Sequence, residues 1–475
     1  MKSVWLKGLG SIESVSLRIV KWEIAAAAIV IVCALATAWP VIHGMATSSL
    51  WIDEFYSVQK FASKGPGHVL THYTVPNNHI FFNLLNSFTL DSDSLYLPWR
   101  VRLWSFAFVA FGAVLLLWYF TKAGKVLEGS ILVFLMLANV DYLDLILQAR
   151  GYGLLSLGAI VCCVASSRWF ERRDSLTVAV VALSVWLATW AVPTFVLFGG
   201  ALMALLWVTS KDGRWLVAGT LCLLAIACSY LPVHKELIGN SSTFAKDWGK
   251  GFADWNSISS LLSGNLFFGA KSWLVFIGVM GIAGGAVIVS KDLKEMDRGA
   301  LCLGLAVLAT YAIALKLETL LVRTVAFTVI PCGYLAAAVF RRLTFWQNLK
   351  SIRVAGMLLV VLGVTFITIQ SRKTYKFIPI EAWMETARCI EKHFPQNTKI
   401  VAQFRSRQLR AYLSKDYPVS TAFDVTKFLA GKQIVVDSAF KKKDRFDTSV
   451  MPNGYEKIAI PQRRGDPQTI YYFPQ

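Results

Sequence analysis

The chain has 475 residues, of which 55% are hydrophobic and 16% are charged, and its formal net charge is +19. Its mean hydropathy of +0.52 excludes an ordinary water-soluble globular protein, because most of so apolar a chain belongs in lipid. We therefore expect an integral membrane protein.

Apolar stretches recur along the chain at the length of roughly 20 residues that crosses about 30 Å of hydrocarbon. The sequence predicts about eleven spans, at 24–43, 99–120, 130–146, 153–169, 176–192, 194–208, 215–233, 273–290, 300–317, 320–340 and 354–369. The first span is long and lacks a small-residue cleavage site, which favours a retained helix over a removed signal peptide. Pro193 either separates two spans or kinks one, and the apolar stretch 79–85 is a candidate to lie partly in the membrane interface.

Lysine and arginine are concentrated in alternate loops, which indicates that those loops are cytoplasmic. The N-terminus is one of these basic segments. An odd number of spans then places the loops 44–98 and 234–272 and the tail 371–475 on the outer side. We expect a transmembrane domain over 1–370 and a soluble domain over 371–475. Compact loops and the absence of an evident secretory or organelle signal favour a bacterial inner membrane, in which the domain 371–475 is periplasmic.

The tail 371–475 differs from the rest of the chain in composition. Short apolar runs alternate with amphipathic stretches, which predicts a small α/β domain. The tail carries 19 Lys and Arg against 10 Asp and Glu. This charge either attracts anionic lipid headgroups and acidic glycans or is an ordinary soluble surface.

The sequence has no phosphate-binding loop, no dinucleotide fingerprint and no Cys-x-x-Cys pattern, so the energy of any reaction must come with the substrate. His68 and His72 stand four residues apart in the loop 44–98. Zinc takes three or four ligands, and two histidines alone are weak evidence for such a site. We expect no metal, no cofactor and no nucleic-acid partner.

Polar and ionisable residues recur at the predicted outer ends of the spans. They are Asp53 and Glu54 in Trp51-Ile52-Asp53-Glu54-Phe55-Tyr56, Asn78 and His79, Arg102 in Arg102-Leu103-Trp104-Ser105, Arg150 and Tyr152 in Ala149-Arg150-Gly151-Tyr152, and Arg323 ahead of Pro331. Ionisable groups near membrane depth are costly and usually face a cavity. The coincidence of these motifs on one face therefore predicts one active site there.

This pattern resembles that of the polytopic GT-C glycosyltransferases of the protein-mannosyltransferase and aminoarabinose-transferase type. Those proteins have an Asp-Glu pair in the first outer loop, an Asn-Asn-His or His-Pro-Pro element, an Arg-Leu-Pro-Ser helix start, an Ala-Arg-Gly-Tyr element and a late Arg followed by Pro. The resemblance covers about 51–157 well and 320–335 loosely. Here the Pro-Pro variant is absent, and Trp104 stands where those proteins have proline.

The resemblance implies the GT-C fold and a glycosyltransferase that uses a sugar carried on polyprenyl phosphate, such as undecaprenyl phosphate. The sugar passes, with inversion at the anomeric carbon, to a hydroxyl of an acceptor at the outer face of the membrane. The lipid phosphate is the leaving group. The acceptor is an envelope glycan such as lipopolysaccharide, a lipid or a protein.

The residues fit this chemistry. An aspartate with an ordinary pKa is ionised and accepts the proton of the attacking hydroxyl, so we assign the catalytic base to Asp53. Glu54 orients the acceptor or Asp53. Arginine binds phosphate best because its fork matches the phosphate oxygens. We assign phosphate binding to Arg150, Arg323, Arg102 and His79. We assign the substrate pocket to Asn78, Tyr152 and Tyr56.

Other interpretations stay open at this stage. Arg102 and Arg150 are also placed to anchor helix ends by snorkelling. A polyprenyl-linked glycan transporter or flippase would explain the many spans, but it is expected to have inverted repeats and midplane charges. A polysaccharide polymerase or ligase also uses outer-face arginines and polyprenyl carriers, but it should lack the early Asp-Glu loop and the α/β tail.

Overall fold

The structure, a computed structural model, describes residues 2–73, 78–90, 97–239, 295–317, 326–342, 358, 360–369, 379, 381–402, 406–413, 416–420, 422–437, 448–462 and 467–474. The chain separates into two compact units. We call Met1–Pro40, Leu70–Phe82 and Trp104–Tyr375 the helical unit, and Val41–Val69, Asn83–Leu103 and Lys376–Gln475 the sheet unit. Arg323, the predicted span 273–290 and most of the predicted loop 234–272 lie outside the described residues.

Helices make up most of the described chain. In chain order they are α1 (Lys2–Thr47), α2 (Ile52–Lys60), α3 (Pro66–Thr71), α4 (Ile80–Thr89), α5 (Pro98–Val101), α6 (Leu103–Lys122), α7 (Val126–Ala138), α8 (Val140–Leu147), α9 (Tyr152–Arg172), α10 (Ser175–Ala191), α11 (Phe195–Ser210), α12 (Gly213–Tyr230), α13 (Glu295–Leu317), α14 (Val329–Arg342), α15 (Val360–Ile369), α16 (Trp383–His393), α17 (Ser406–Tyr412) and α18 (Val425–Leu429). The strands are β1 (Lys399–Val401), β2 (Val419–Ser420), β3 (Gln433–Asp437), β4 (Glu456–Ile460) and β5 (Gln468–Tyr472).

Among the described residues, 4 helices are long and apolar enough to cross a membrane, and a bent helix pair would make a fifth. The long ones are Lys21–Thr47, Leu103–Lys122, Tyr152–Arg172 and Gly213–Gly239. Shorter apolar helices account for the other predicted spans that the structure describes, at Ser175–Ala191, Phe195–Ser210, Arg298–Ile313, Ala326–Leu335 and Val360–Ile369. A further short apolar helix, Ile80–Thr89, includes most of the apolar stretch 79–85.

The predicted single span 130–146 is a bent pair of helices. α7 and α8 meet at a bend of 76°, and the residue between them is Asn139. The Asn139 side chain accepts the backbone N–H of Tyr142 at 3.1 Å and so caps the start of α8. An asparagine at this position competes with the continuous helix ladder, which is why one apolar stretch forms two helices.

Aspartates cap the starts of two helices at loops that the sequence predicts to be cytoplasmic. Asp174 accepts the N–H of Thr177 at 2.7 Å at the start of α10, and Asp212 accepts the N–H of Arg214 at 3.0 Å at the start of α12. The hydrogen bond from the Arg214 side chain lowers the pKa of Asp212. These caps satisfy N–H groups that a helix start leaves without a partner.

α9 lies at the centre of the helical unit. Its spanning window is 83% buried, against 17% for that of Gly213–Gly239, and it packs against α10 and α13. Small residues permit this packing: an added Cβ on Gly299 of α13 would lie 2.9 Å from the Ser167 Cα of α9. Close backbone approach at small residues is typical of membrane helices.

The sheet unit contains a five-stranded sheet in the order β2-β1-β3-β5-β4. β1 pairs in parallel with β2 and β3, while β5 pairs antiparallel with β3 and β4. Successive residues of a strand face opposite sides: Ile400 packs in one core with Trp383 of α16, and Val401 packs in a second core with Phe428 of α18. The tail is thus an α/β structure, as predicted.

Candidate active site

Asp53 and Glu54 lie in the first turn of α2, which begins directly after the extended residue Trp51. The Asp53 side chain is half-buried, whereas Glu54 is completely buried. Carboxylates are favourable in this turn because the helix N-terminus carries a partial positive charge. The two acidic residues therefore differ in exposure, and Asp53 is the more accessible of the two.

Arg102 holds Glu54. Its Nε donates to Glu54 Oε1 at 2.8 Å and its Nη2 to Glu54 Oε2 at 2.6 Å, and both side chains are almost without exposure. Nη1 donates to the carbonyls of Met45 and Ser48, and Nη2 also donates to the carbonyl of Ser49 at 3.1 Å. These bonds use all the N–H donors of a guanidinium. A phosphate would have to displace some of them, so the predicted phosphate contact of Arg102 stays a prediction.

The backbone ahead of α2 is fixed by side chains from distant parts of the chain. The N–H of Trp51 donates to Glu54 Oε2 at 2.9 Å, and the N–H of Ile52 donates to Glu381 Oε2 at 3.1 Å. The N–H of Leu50 donates to the Tyr412 hydroxyl at 2.9 Å. Sequence reasoning missed Glu381 and Tyr412, because nothing local distinguishes them from other residues of the tail.

A second group of predicted residues meets in the helical unit, around His79 and Arg150. Arg150 Nε lies 2.9 Å from His79 Nε2, and His79 Nδ1 lies 3.1 Å from the carbonyl of Ala191. A guanidinium only donates and a carbonyl only accepts, so the imidazole carries its proton on Nδ1 and accepts at Nε2. His79 thereby orients Arg150. Both residues are buried.

Tyr152 and Asn78 complete this second group. The Arg150 Cζ lies 5.2 Å from the centre of the Tyr152 ring, within the range of a cation–π interaction. The His79 and Tyr152 rings meet edge to face at 5.4 Å. Asn78 is buried and donates from Nδ2 to the carbonyl of His72 at 2.7 Å. His79, Arg150 and Tyr152, which come from two separate motifs, therefore lie together in the helical unit.

Tyr73 also lies within the electrostatic influence of Arg150, although no motif of the sequence points to it. Its ring is buried, which raises the pKa of the Tyr73 hydroxyl to about 12, while the positive charge of Arg150 opposes that rise. Its backbone N–H donates to the carboxylate of Glu236. The phenol therefore stays neutral at physiological pH and is able both to donate and to accept a hydrogen bond.

The remaining predicted residues are placed as follows. Tyr56 is half-buried on α2 and packs edge to face on Phe61, 6.1 Å between ring centres. His68 packs on the same ring at 6.4 Å, and Thr71 shares a hydrogen bond of 2.9 Å with His72. Within the described ranges no three His, Cys, Asp or Glu side chains stand close enough to hold a metal ion.

The predicted site residues divide between the two units. Asp53, Glu54 and Arg102 belong to the sheet unit, and His79 and Arg150 belong to the helical unit. The first set supplies a reachable carboxylate on an ordered helix start. The second supplies an oriented guanidinium beside tyrosines and a buried amide.

No model of a known protein family matches the chain, and no curated protein sequence matches it. Among solved structures the chain is similar to the crystal structure of ArnT from Cupriavidus metallidurans bound to undecaprenyl phosphate. The TM-score is 0.55, the sequence identity is 11%, and the match covers 96% of this chain and 99% of that chain.

This likeness establishes the fold. The chain has the fold of that structure, so the predicted fold of many apolar helices followed by a small C-terminal sheet is confirmed. A membrane location follows from the same fold and from the apolar helices.

Proposed function

We propose that the protein is an inverting glycosyltransferase that moves a sugar from a polyprenyl phosphate, such as undecaprenyl phosphate, to an acceptor hydroxyl. The observation that carries the proposal is the buried Arg150–His79 pair, because it presents an oriented guanidinium in a fold shared with a protein that binds undecaprenyl phosphate. A reachable carboxylate at Asp53 adds the second group that this chemistry needs.

Asp53 is the proposed base. As the acceptor oxygen forms its bond to the anomeric carbon, Asp53 takes the hydroxyl proton, which raises the nucleophilicity of that oxygen. The bond between the anomeric carbon and the phosphate oxygen breaks on the opposite side, and its electron pair stays with the phosphate. The products are the glycosylated acceptor and the polyprenyl phosphate, so no external energy source is needed.

Arg150 is the proposed partner of the leaving phosphate. Negative charge grows on the bridging oxygen as the bond breaks, and a donor that is already oriented stabilises it without reorganisation. His79 provides that orientation through the bond to Arg150 Nε. Arg323 is proposed as a second phosphate ligand, from its motif alone. Asn78, Tyr152 and Tyr56 are proposed to contact the sugar or the acceptor.

The site is proposed to work at the outer face of a bacterial inner membrane, where polyprenyl-linked sugars meet envelope acceptors. The basic loops of the sequence support this orientation, with the N-terminus cytoplasmic and the C-terminus periplasmic. The acceptor is proposed to be an envelope glycan such as lipopolysaccharide, a lipid or a protein.

The test is transfer of radiolabelled sugar by the detergent-purified protein. A panel of undecaprenyl phosphate sugars is the donor, and an extract of envelope glycans, lipids and proteins is the acceptor. We expect transfer by the wild type and a loss of at least about 10²-fold in Asp53→Asn, the lower range of general base catalysis. Asp416→Asn, at an exposed aspartate, is the matched control and should keep full activity.

Two results would contradict the proposal. Equal transfer by the wild type and Asp53→Asn would remove Asp53 from the role of base. No transfer with any donor would refute the glycosyltransferase and favour a transporter, which flux of labelled donor in proteoliposomes would then detect.

A further inference from the structure

Residues of the C-terminal tail hold the backbone that leads into Asp53. The contacts come from Glu381 and Glu385, at the start of the α/β structure, and from Tyr412 at the end of α17. They reach Ser49, Leu50 and Ile52, more than 300 positions earlier in the chain, and all of these residues belong to the sheet unit.

The Glu381 carboxylate caps the helix that carries Asp53. Its Oε2 accepts the N–H of Ile52, the first residue of α2, at 3.1 Å, and the indole N–H of Trp383 at 2.9 Å. Glu381 and Trp383 are both buried. The first N–H groups of a helix have no partner inside the helix, so a negative group here both completes the bonding and complements the helix dipole.

Two further contacts fix the residues just before the helix. The Ser49 hydroxyl donates to the carbonyl of Glu381 and lies 3.0 Å from Glu385 Oε2. The Leu50 N–H donates to the Tyr412 hydroxyl at 2.9 Å. Together with the Trp51 N–H on Glu54, these bonds leave the chain from Ser49 to Ile52 with little freedom.

We propose that Glu381, assisted by Tyr412, is a positioning residue that sets the place of the Asp53 carboxylate, so that the C-terminal structure is part of the catalytic machinery. This proposal rests on the proposed function, because it assumes that Asp53 is the base. Glu381 acts through the backbone, because it accepts the N–H of Ile52 and Asp53 is the next residue in the chain.

The expected effect is on turnover and not on donor binding. A base displaced by about 1 Å costs on the order of 10²-fold in rate, whereas Arg150, the proposed partner of the leaving phosphate, lies in the helical unit. Glu381→Ala should therefore lower kcat about 10²-fold with KM for the donor unchanged. Glu381→Gln should recover most of kcat, because one amide oxygen still accepts both N–H groups.

A double-mutant comparison separates positioning from a general structural role. If Glu381 acts only through Asp53, Glu381→Ala should cause no further loss when it is added to Asp53→Asn. An equal loss in both backgrounds would overturn the proposal, as would a full kcat in Glu381→Ala. Glu391→Gln is the matched control, because Glu391 is an exposed glutamate on α16. If Glu381→Ala does not fold, Tyr412→Phe and Glu381→Gln serve as the test variants.

Hydrogen exchange tests the contact even if no sugar transfer is found. Peptides covering 48–56 should exchange faster in Glu381→Ala and Tyr412→Phe than in the wild type and in Glu391→Gln. Unchanged exchange would overturn the positioning role. An absence of transfer by the wild type, with faster exchange in the variants, would instead refute the proposed function and retain the structural contact.

Discussion

Replacing Arg102 by leucine removes the partner of a fully buried carboxylate. The guanidinium donates twice to Glu54 and also to the carbonyls of Met45, Ser48 and Ser49, and leucine replaces none of these bonds. Breaking a buried ion pair from one side costs about 3–5 kcal/mol, because the other charge stays buried and uncompensated. At roughly 2–4 °C per kcal/mol for a unit of this size, Tm should fall by roughly 6–20 °C.

The assay is thermal unfolding of the detergent-purified protein, followed by tryptophan fluorescence and by loss of the monodisperse peak in size-exclusion chromatography. Arg388→Leu, the same change at an exposed position of α16, should stay within about 0.5 kcal/mol of the wild type. The double variant Arg102→Leu/Glu54→Leu should recover part of the loss, since no charge is left buried. A single variant as stable as Arg388→Leu would refute the reasoning.

Three other expectations follow from described contacts. His79→Ala should lower kcat by about 10–100-fold, because the Arg150 fork loses its orienting acceptor, and steady-state kinetics with a saturating donor checks this; an unchanged kcat would remove the orienting role. Burial raises the pKa of Glu385 above its ordinary 4.5, so the folded protein is favoured while the Glu385 carboxyl is protonated. The wild type should therefore lose stability, relative to Glu385→Gln, as pH rises from this ordinary pKa through the raised pKa. Tm measured from about pH 4 to about pH 7 tests this, and parallel curves would contradict it. Gly153→Ala should cost roughly 1–3 kcal/mol, because its Cβ would lie 2.8 Å from the Ile146 carbonyl, whereas Gly200→Ala, with nothing within 4 Å, should be neutral in the same unfolding assay.

The sequence predicts the membrane helices well because each helix is encoded locally. An apolar stretch of the necessary length is visible in contiguous residues and needs no information on tertiary contacts. These stretches coincide with helices wherever the structure describes them. The exception is 130–146, where hydropathy predicts one span and the structure has two helices that meet at a bend. Asn139 followed by acidic residues is a capping signal, so the bend between α7 and α8 had a local cause that hydropathy alone does not measure.

The sequence also predicts that Asp53, His79 and Arg150 belong to an active site, but it does not show how each side chain is held. The pair Asp53-Glu54 looks uniform in the sequence, as two acids at the start of a loop. In the structure Glu54 is buried against Arg102 while Asp53 remains half-exposed. Burial and pairing depend on residues 48 positions away, and no local pattern records them.

What the sequence by itself determined is the class of protein, the succession of helices, the α/β character of the tail and the motifs that carry the candidate chemistry. All of these depend on composition, periodicity or short spacing. Only the tertiary structure decided that Arg102 pairs with Glu54, that His79 orients Arg150, and that Glu381 caps the helix of Asp53. Hydrogen bonds between residues up to 362 positions apart are selected by the folded backbone, since the same side chains would form other bonds in another fold.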